Sequence, residues 1–186
     1  LDNEGKWEAA FKAVVTSNQL SVNSEKNGWI HEPGIGVLAN WEKIVGKGEQ
    51  AKKLAGETIK LYGQEDGEMM VMDGLVEAVE AAKEMGCLTA LATGSDWNVV
   101  AKELEQLDLY LAFDVTTTGE EVELQKPDPE IYRLTVQKLG VEAEVTIVLE
   151  DSLAGVKSGV AAGCIVVGLA SPYADRKQLF RAGAKF

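Results

Sequence analysis

Apolar residues near the start of the chain, Trp7, Phe11, Val14 and Val15, recur at helical spacing, and the pattern predicts a first helix. A second helix is predicted from Val37 to Val45. A third, from Glu49 to Leu61, sets Leu54, Thr58 and Leu61 on one face and stops at Gly63. Three helices with no strand between them predict a small helical cap over residues 1–70. From Val71 the pattern changes to short apolar runs alternating with amphipathic stretches, which predicts βαβ units and a parallel sheet. Asp73 is a candidate N-cap for a helix carrying Leu75, Val79, Ala82 and Met85 up to Gly86. Strands are expected at Leu88 to Ala92, Phe113 to Thr117, Thr146 to Leu149 and Ile165 to Leu169. Helices are expected at Val99 to Leu107, Pro129 to Leu139 and Leu153 to Ala162. The fold class predicted is α/β, a Rossmann-like parallel sheet core over 71–186 with a helical cap.

Composition narrows the function classes. With 46% hydrophobic and 26% charged residues, the 186-residue chain has the makeup of a globular protein rather than of a disordered or fibrous one. Its 30 acidic residues against 18 Lys and Arg give a net charge of −12, which repels nucleic acid and anionic lipid alike. No apolar run approaches the ~18 residues of a membrane span, so neither nucleic acid nor membrane is an expected partner. Cys87 and Cys164 both lie in apolar segments and are read as buried, reduced thiols of a cytoplasmic protein. The first residue is Leu1 rather than Met, and a fragment cut at its front end is expected.

In open α/β sheets ligands sit at the carboxyl ends of the strands, and three polar clusters are predicted there. Thr93-Gly94-Ser95-Asp96 offers a hydroxyl and turn amides to an anion, or else a turn that caps the next helix. In Gln125-Lys126-Pro127-Asp128-Pro129 two prolines stiffen the loop around Lys126. A fixed ammonium there neutralises a phosphate, whereas an isolated lysine is usually a solvated one. Glu150 and Asp151 follow an apolar strand directly, and paired carboxylates suit a hard cation such as Mg2+. The competing reading is helix capping by Asp151 or Ser152. A hydroxyl, a lysine and paired acids converging on one crevice suit metal-assisted phosphoryl transfer.

The spaced series TGS, KPDP, EDSLAG and Ala161-Ala162-Gly163 resembles the haloacid-dehalogenase superfamily, in its β-phosphoglucomutase-like branch of phosphatases and phosphomutases. The resemblance implies that Thr93 and Lys126 act on the transferring phosphoryl group, that Gly94 and Ser95 line the substrate, and that Glu150 and Asp151 hold Mg2+. It also implies an aspartyl-phosphate intermediate. The first motif of that family, Asp-x-Asp-Gly-Thr, is not in this sequence. Asp2-Asn3-Glu4-Gly5-Lys6 imitates it only superficially, and the better alignment sets Leu1-Asp2-Asn3-Glu4 just downstream of it. The nucleophile and the central strand, between those ending at Thr93 and Glu150, are therefore expected outside residues 1–186. By themselves these residues are expected to fold marginally and to turn over no substrate.

Other features carry weaker signals. Gly34-Ile35-Gly36-Val37-Leu38-Ala39 has the letters of a dinucleotide fingerprint without the preceding strand, and is read as a cap loop that helps select substrate. His31, the only histidine, is assigned to substrate contact, with surface or capping duty as its alternative. Trp29, Trp41 and Trp97 are candidates for stacking on a sugar or for packing. Three functions follow: a Mg2+-dependent phosphatase acting on a small phosphorylated metabolite, a phosphosugar mutase, and a non-catalytic phosphate-binding relative. The first leads, because Trp29 to Trp41 contains no Arg or Lys to hold a second phosphate.

Overall fold

A computed structural model describes residues 3–22, 29–64 and 71–185. Asp2, in the segment that imitates the missing motif, lies outside the described residues. The chain divides into a helical unit, Leu1–Glu32 with Val37–Leu75, and an α/β unit, Pro33–Gly36 with Val76–Phe186. The division thus falls at Leu75 rather than near residue 70, and four residues of the predicted cap belong to the second unit.

In the helical unit, α1 (Glu4–Ser17), α2 (Val37–Val45) and α3 (Glu49–Tyr62) close around Phe11, Val14, Trp41, Ala51, Leu54 and Ala55. The 3.6-residue period puts Trp7, Phe11 and Val14 on the buried stripe of α1. Trp41 is fully buried and its indole N–H donates to the Thr58 hydroxyl at 2.8 Å, so it is a packing residue with its polar edge satisfied rather than a sugar platform.

The α/β unit runs α4 (Leu75–Glu84), β1 (Ala90–Ala92), α5 (Trp97–Gln106), β2 (Val115–Thr117), α6 (Glu130–Leu139), β3 (Ile147–Glu150), α7 (Leu153–Ala161), β4 (Ile165–Gly168) and α8 (Arg176–Ala182). Strand β1 pairs in parallel with β2, Leu91 opposite Thr116. Strand β3 pairs in parallel with β4, Val148 opposite Val166. Among the described residues no ladder joins the two pairs. The core lies under β3 and β4, where Ile131, Tyr132, Val148, Val156, Val166 and Leu179 meet. Gly159 lets α7 approach β4, since a Cβ there would stand 2.9 Å from Val166 Cγ2.

Two expectations need correction. Cys164 is buried, but Cys87 is exposed, because it sits in the turn after α4, a helix with no buried residue. The apolar stripe of α4 is thus only partly covered, with Leu75, Val79 and Ala82 half-buried and Met85 75% exposed. Helix α8 is absent from the sequence reading. Its signal was the capping box Asp175-Arg176-Lys177-Gln178, in which Asp175 accepts from the Gln178 N–H and Gln178 Oε1 accepts from the Asp175 N–H, both at 2.8 Å.

Candidate active site

Thr93 follows the end of β1 and Glu150 ends β3. Thr93 continues the β1 ladder, its N–H donating to Thr117 O at 3.0 Å, and its hydroxyl accepts from the Ser95 N–H at 3.2 Å. The small turn expected at TGS is thus formed, and the Thr93 hydroxyl keeps its own proton for donation. Lys126 enters from the loop before α6, where Asp128 Oδ1 accepts from the Glu130 N–H at 3.0 Å. Glu150 is the last residue of β3. Ser152 caps α7, accepting from the Gly155 N–H at 3.0 Å.

Lys126 ties these loops together. Its ammonium donates to Ala92 O at 3.3 Å, the residue before Thr93, and to Glu150 Oε1 at 2.5 Å, with both side chains under a tenth exposed. The fixed, buried lysine anticipated from the two prolines is present, and the solvated alternative is not.

Glu150 is saturated. Oε1 accepts from Lys126 and from the Tyr132 hydroxyl, the latter at 2.5 Å. Oε2 accepts from the Ser152 hydroxyl at 3.0 Å and the Ser152 N–H at 3.4 Å. Burial pushes its pKa up, but the Lys126 charge and hydrogen bonds from Lys126, Tyr132 and Ser152 outweigh that and hold it below the usual carboxylate value. Burial first, then the Glu150 charge, pushes the Tyr132 phenol well above its ordinary value, so Tyr132 remains a donor. Gly155 makes room for the carboxylate, since a Cβ at that position would lie 1.9 Å from Glu150 Cδ. Tyr132 and Ser152 were not singled out as site residues from the sequence. Tyr132 is legible afterwards as the position one turn into the helix behind KPDP, on its inward face.

Mg2+ favours oxygen donors, and the Glu150–Asp151 pair is of the right kind. Yet the described residues contain no group of three His, Cys, Asp or Glu able to hold a metal ion. All four lone-pair positions of Glu150 are taken as well. Asp151, half-buried, has its backbone carbonyl fixed by the Ser171 hydroxyl at 3.0 Å. The residues thus fit part of a Mg2+ shell.

The loop Pro33–Gly36 packs onto these strand ends. A Cβ on Gly34 would lie 2.1 Å from Ser152 Oγ, and one on Gly36 would lie 2.9 Å from Gly94 O and 3.2 Å from Gln125 Oε1. One on Gly119 would lie 2.3 Å from Gly94 O. The glycines that mimic a nucleotide fingerprint are there for close backbone approach. Gly34, at φ +86°, also needs the left-handed region.

His31 belongs to the helical unit. Its Nδ1 lies 2.8 Å from Glu8 Oε2 and its Nε2 2.6 Å from Glu4 Oε2, while its ring stacks on Phe11. His31 is buried, and both of its nitrogens are engaged by carboxylates of α1.

Comparison with known proteins decides the family. A model described as haloacid dehalogenase-like hydrolase matches residues 3–163. The chain belongs to the haloacid dehalogenase-like hydrolases. Within that family it is 39% identical over 189 residues to a phosphorylated carbohydrates phosphatase of Thermotoga maritima, covering 99% of this chain and 87% of that protein. It is 33% identical over 110 residues to hexitol phosphatase B of Escherichia coli, covering 59% of this chain and 50% of that protein. The solved structure of CbbY from Rhodobacter sphaeroides with phosphate superposes with a TM-score of 0.80 at 21% identity. That match covers 99% of this chain and 86% of that one, and it supports the α/β fold of this family. No helix among the described residues is long and apolar enough to cross a membrane.

Proposed function

We propose that this hydrolase is a Mg2+-dependent phosphatase that releases phosphate from a small phosphorylated sugar or polyol through an aspartyl-phosphate. The observation that carries the reading is the Lys126 ammonium, which spans from Ala92 O to the Glu150 carboxylate and so draws the Thr93, Lys126 and Glu150 loops onto one point. Two of its three N–H donors are used in those bonds, and the third is assigned to a phosphoryl oxygen. The Thr93 hydroxyl, oriented by the Ser95 N–H from which it accepts, and the Gly94 amide donate to the other oxygens, so that donors are in place before charge develops on the phosphoryl group.

Asp151, with Glu150 behind it, would hold the Mg2+, which supplies charge neutralisation at the phosphoryl group. Glu150 acts chiefly on Lys126, because joining the metal would cost it one of its present donors. The relatives named as phosphatases of phosphorylated carbohydrates and hexitols support the substrate class. The attacking aspartate is assigned to the family's first motif, which these residues lack.

The test is a screen of the protein, expressed from its full reading frame, against sugar and polyol phosphates with and without Mg2+. Metal-dependent phosphate release from at least one is expected. No release from any of them, with metal present, overturns the assignment.

A further inference from the structure

The hydrophobic cluster beneath β3 carries one phenol. Tyr132 packs there among Ile131, Val148, Val156 and Val166, where phenylalanine would fill the same volume. A hydroxyl in such surroundings is costly unless bonded, and this one is bonded to the carboxylate that grips Lys126. The same ring lies under the Lys126 ammonium, 5.0 Å from its centroid. Tyr132 therefore touches both members of the buried ion pair, through its face and through its tip.

We propose that Tyr132 is a positioning residue, which sets the Lys126 ammonium for phosphoryl transfer by pinning the Glu150 oxygen that the lysine also holds. The proposal rests on the phosphatase reading for the step that it serves, but the geometry that it describes does not. Lys126 and Tyr132 donate to the same oxygen, Oε1, while Ser152 holds Oε2. With Lys126 and Tyr132 on Oε1 and Ser152 on Oε2 the orientation of the carboxylate is fixed, and its charge is shared between the lysine and the phenol. Without the hydroxyl, Oε1 is held by Lys126 alone. The carboxylate then pivots about the Oε2 that Ser152 still holds, and the third N–H of the lysine turns away from its assigned oxygen. Positioning of this kind is a general requirement of a preorganised site.

The experiment uses Tyr132→Phe in the protein from its full reading frame, with p-nitrophenyl phosphate and Mg2+ as probes. kcat is expected to fall roughly tenfold to hundredfold, the worth of one hydrogen bond to a charged group, with KM nearly unchanged. A second readout is the Lys126 ammonium resonance in 1H–15N spectra, assigned by its loss in Lys126→Arg. It is expected to be visible in the parent and lost to fast exchange in Tyr132→Phe. Wild-type kcat, or a retained ammonium resonance, overturns the proposal, as does a loss of Tm with that resonance intact. If the parent releases no phosphate from any ester, the phosphatase reading falls, and the resonance alone still decides whether Tyr132 positions Lys126. If the Phe variant does not fold, fluorotyrosine incorporation changes the donor strength of the phenol while keeping its hydroxyl. The Lys126 resonance should then shift, and an unshifted one is contrary to the proposal.

Discussion

Gly155 shows how closely a single residue is prescribed at this site. A methyl group there would occupy the place of the Glu150 carboxylate, with its Cβ within 2.1 Å of both oxygens. Gly155→Ala should therefore expel Glu150 from its bonds to Lys126, Tyr132 and Ser152. A destabilisation of about 1–3 kcal/mol is expected for such overpacking, measurable by urea unfolding. A stability equal to the parent's would show that the carboxylate has room to move. The sequence made Lys126, Glu150 and Thr93 legible because each follows a strand signal or stands in a stiffened loop. Tyr132 was not legible, since a buried hydroxyl on a helix stripe gives no periodic signal. Only the fold shows which carboxylate it meets.

At the scale of elements, α1 carries a device that its hydrophobic pattern does not announce. Glu4 and Glu8, one turn apart, hold the His31 ring from both sides. Glu8 also accepts from the backbone N–H groups of Ile30 at 3.0 Å and His31 at 3.5 Å. Burial lowers the His31 pKa, but the hydrogen bonds and charges of Glu4 and Glu8 together raise it above its ordinary 6.5. A folded-state pKa above the unfolded one stabilises fully below about pH 6.5 and is lost as pH rises through the folded value. Thermal unfolding followed by fluorescence of buried Trp41 should thus show falling stability from about pH 6 upward, with a slope of at most about 1.4 kcal/mol per pH unit. His31→Gln should flatten it. A parent slope of zero or of opposite sign contradicts the assignment. In the same unit Thr58→Val leaves the Trp41 N–H without its partner, and a loss of about 1–3 kcal/mol is expected from chemical denaturation. A neutral result would mean that the indole finds another acceptor.

The helices α1, α2 and α3 were readable from their periods, as were α5, α6 and α7, because each buries one stripe. Helix α4 was readable as a helix but not as an exposed one, since the stripe Leu75, Val79, Ala82 and Met85 looks the same with or without a partner. Strand ends were the least legible. The predicted Leu88 to Ala92 is shortened to Ala90–Ala92, and Leu88 is exposed.

For the whole molecule, the α/β architecture followed from the switch between helical and strand periods, and the site followed from placing polar clusters at strand ends. The loop Pro33–Gly36 did not. Its position beside Gly94 and Ser152 depends on chain segments far apart in sequence, and the glycine spacing alone reads equally as a fingerprint for something else. The first motif is not among residues 1–186, and these residues alone should release no phosphate from a sugar phosphate with Mg2+ present. Release would place a nucleophile within them.

The central claim is that Lys126 serves phosphoryl transfer and is more than one half of a structural ion pair. Removing it alone leaves Glu150 buried and unpaired, a loss of about 3–5 kcal/mol that would confound any assay. Lys126→Met combined with Glu150→Gln removes both charges together and separates stability from chemistry. The double variant is expected to unfold near the parent's denaturant midpoint while its Mg2+-dependent phosphate release falls by about a hundredfold or more. Release at the parent's rate would contradict the account.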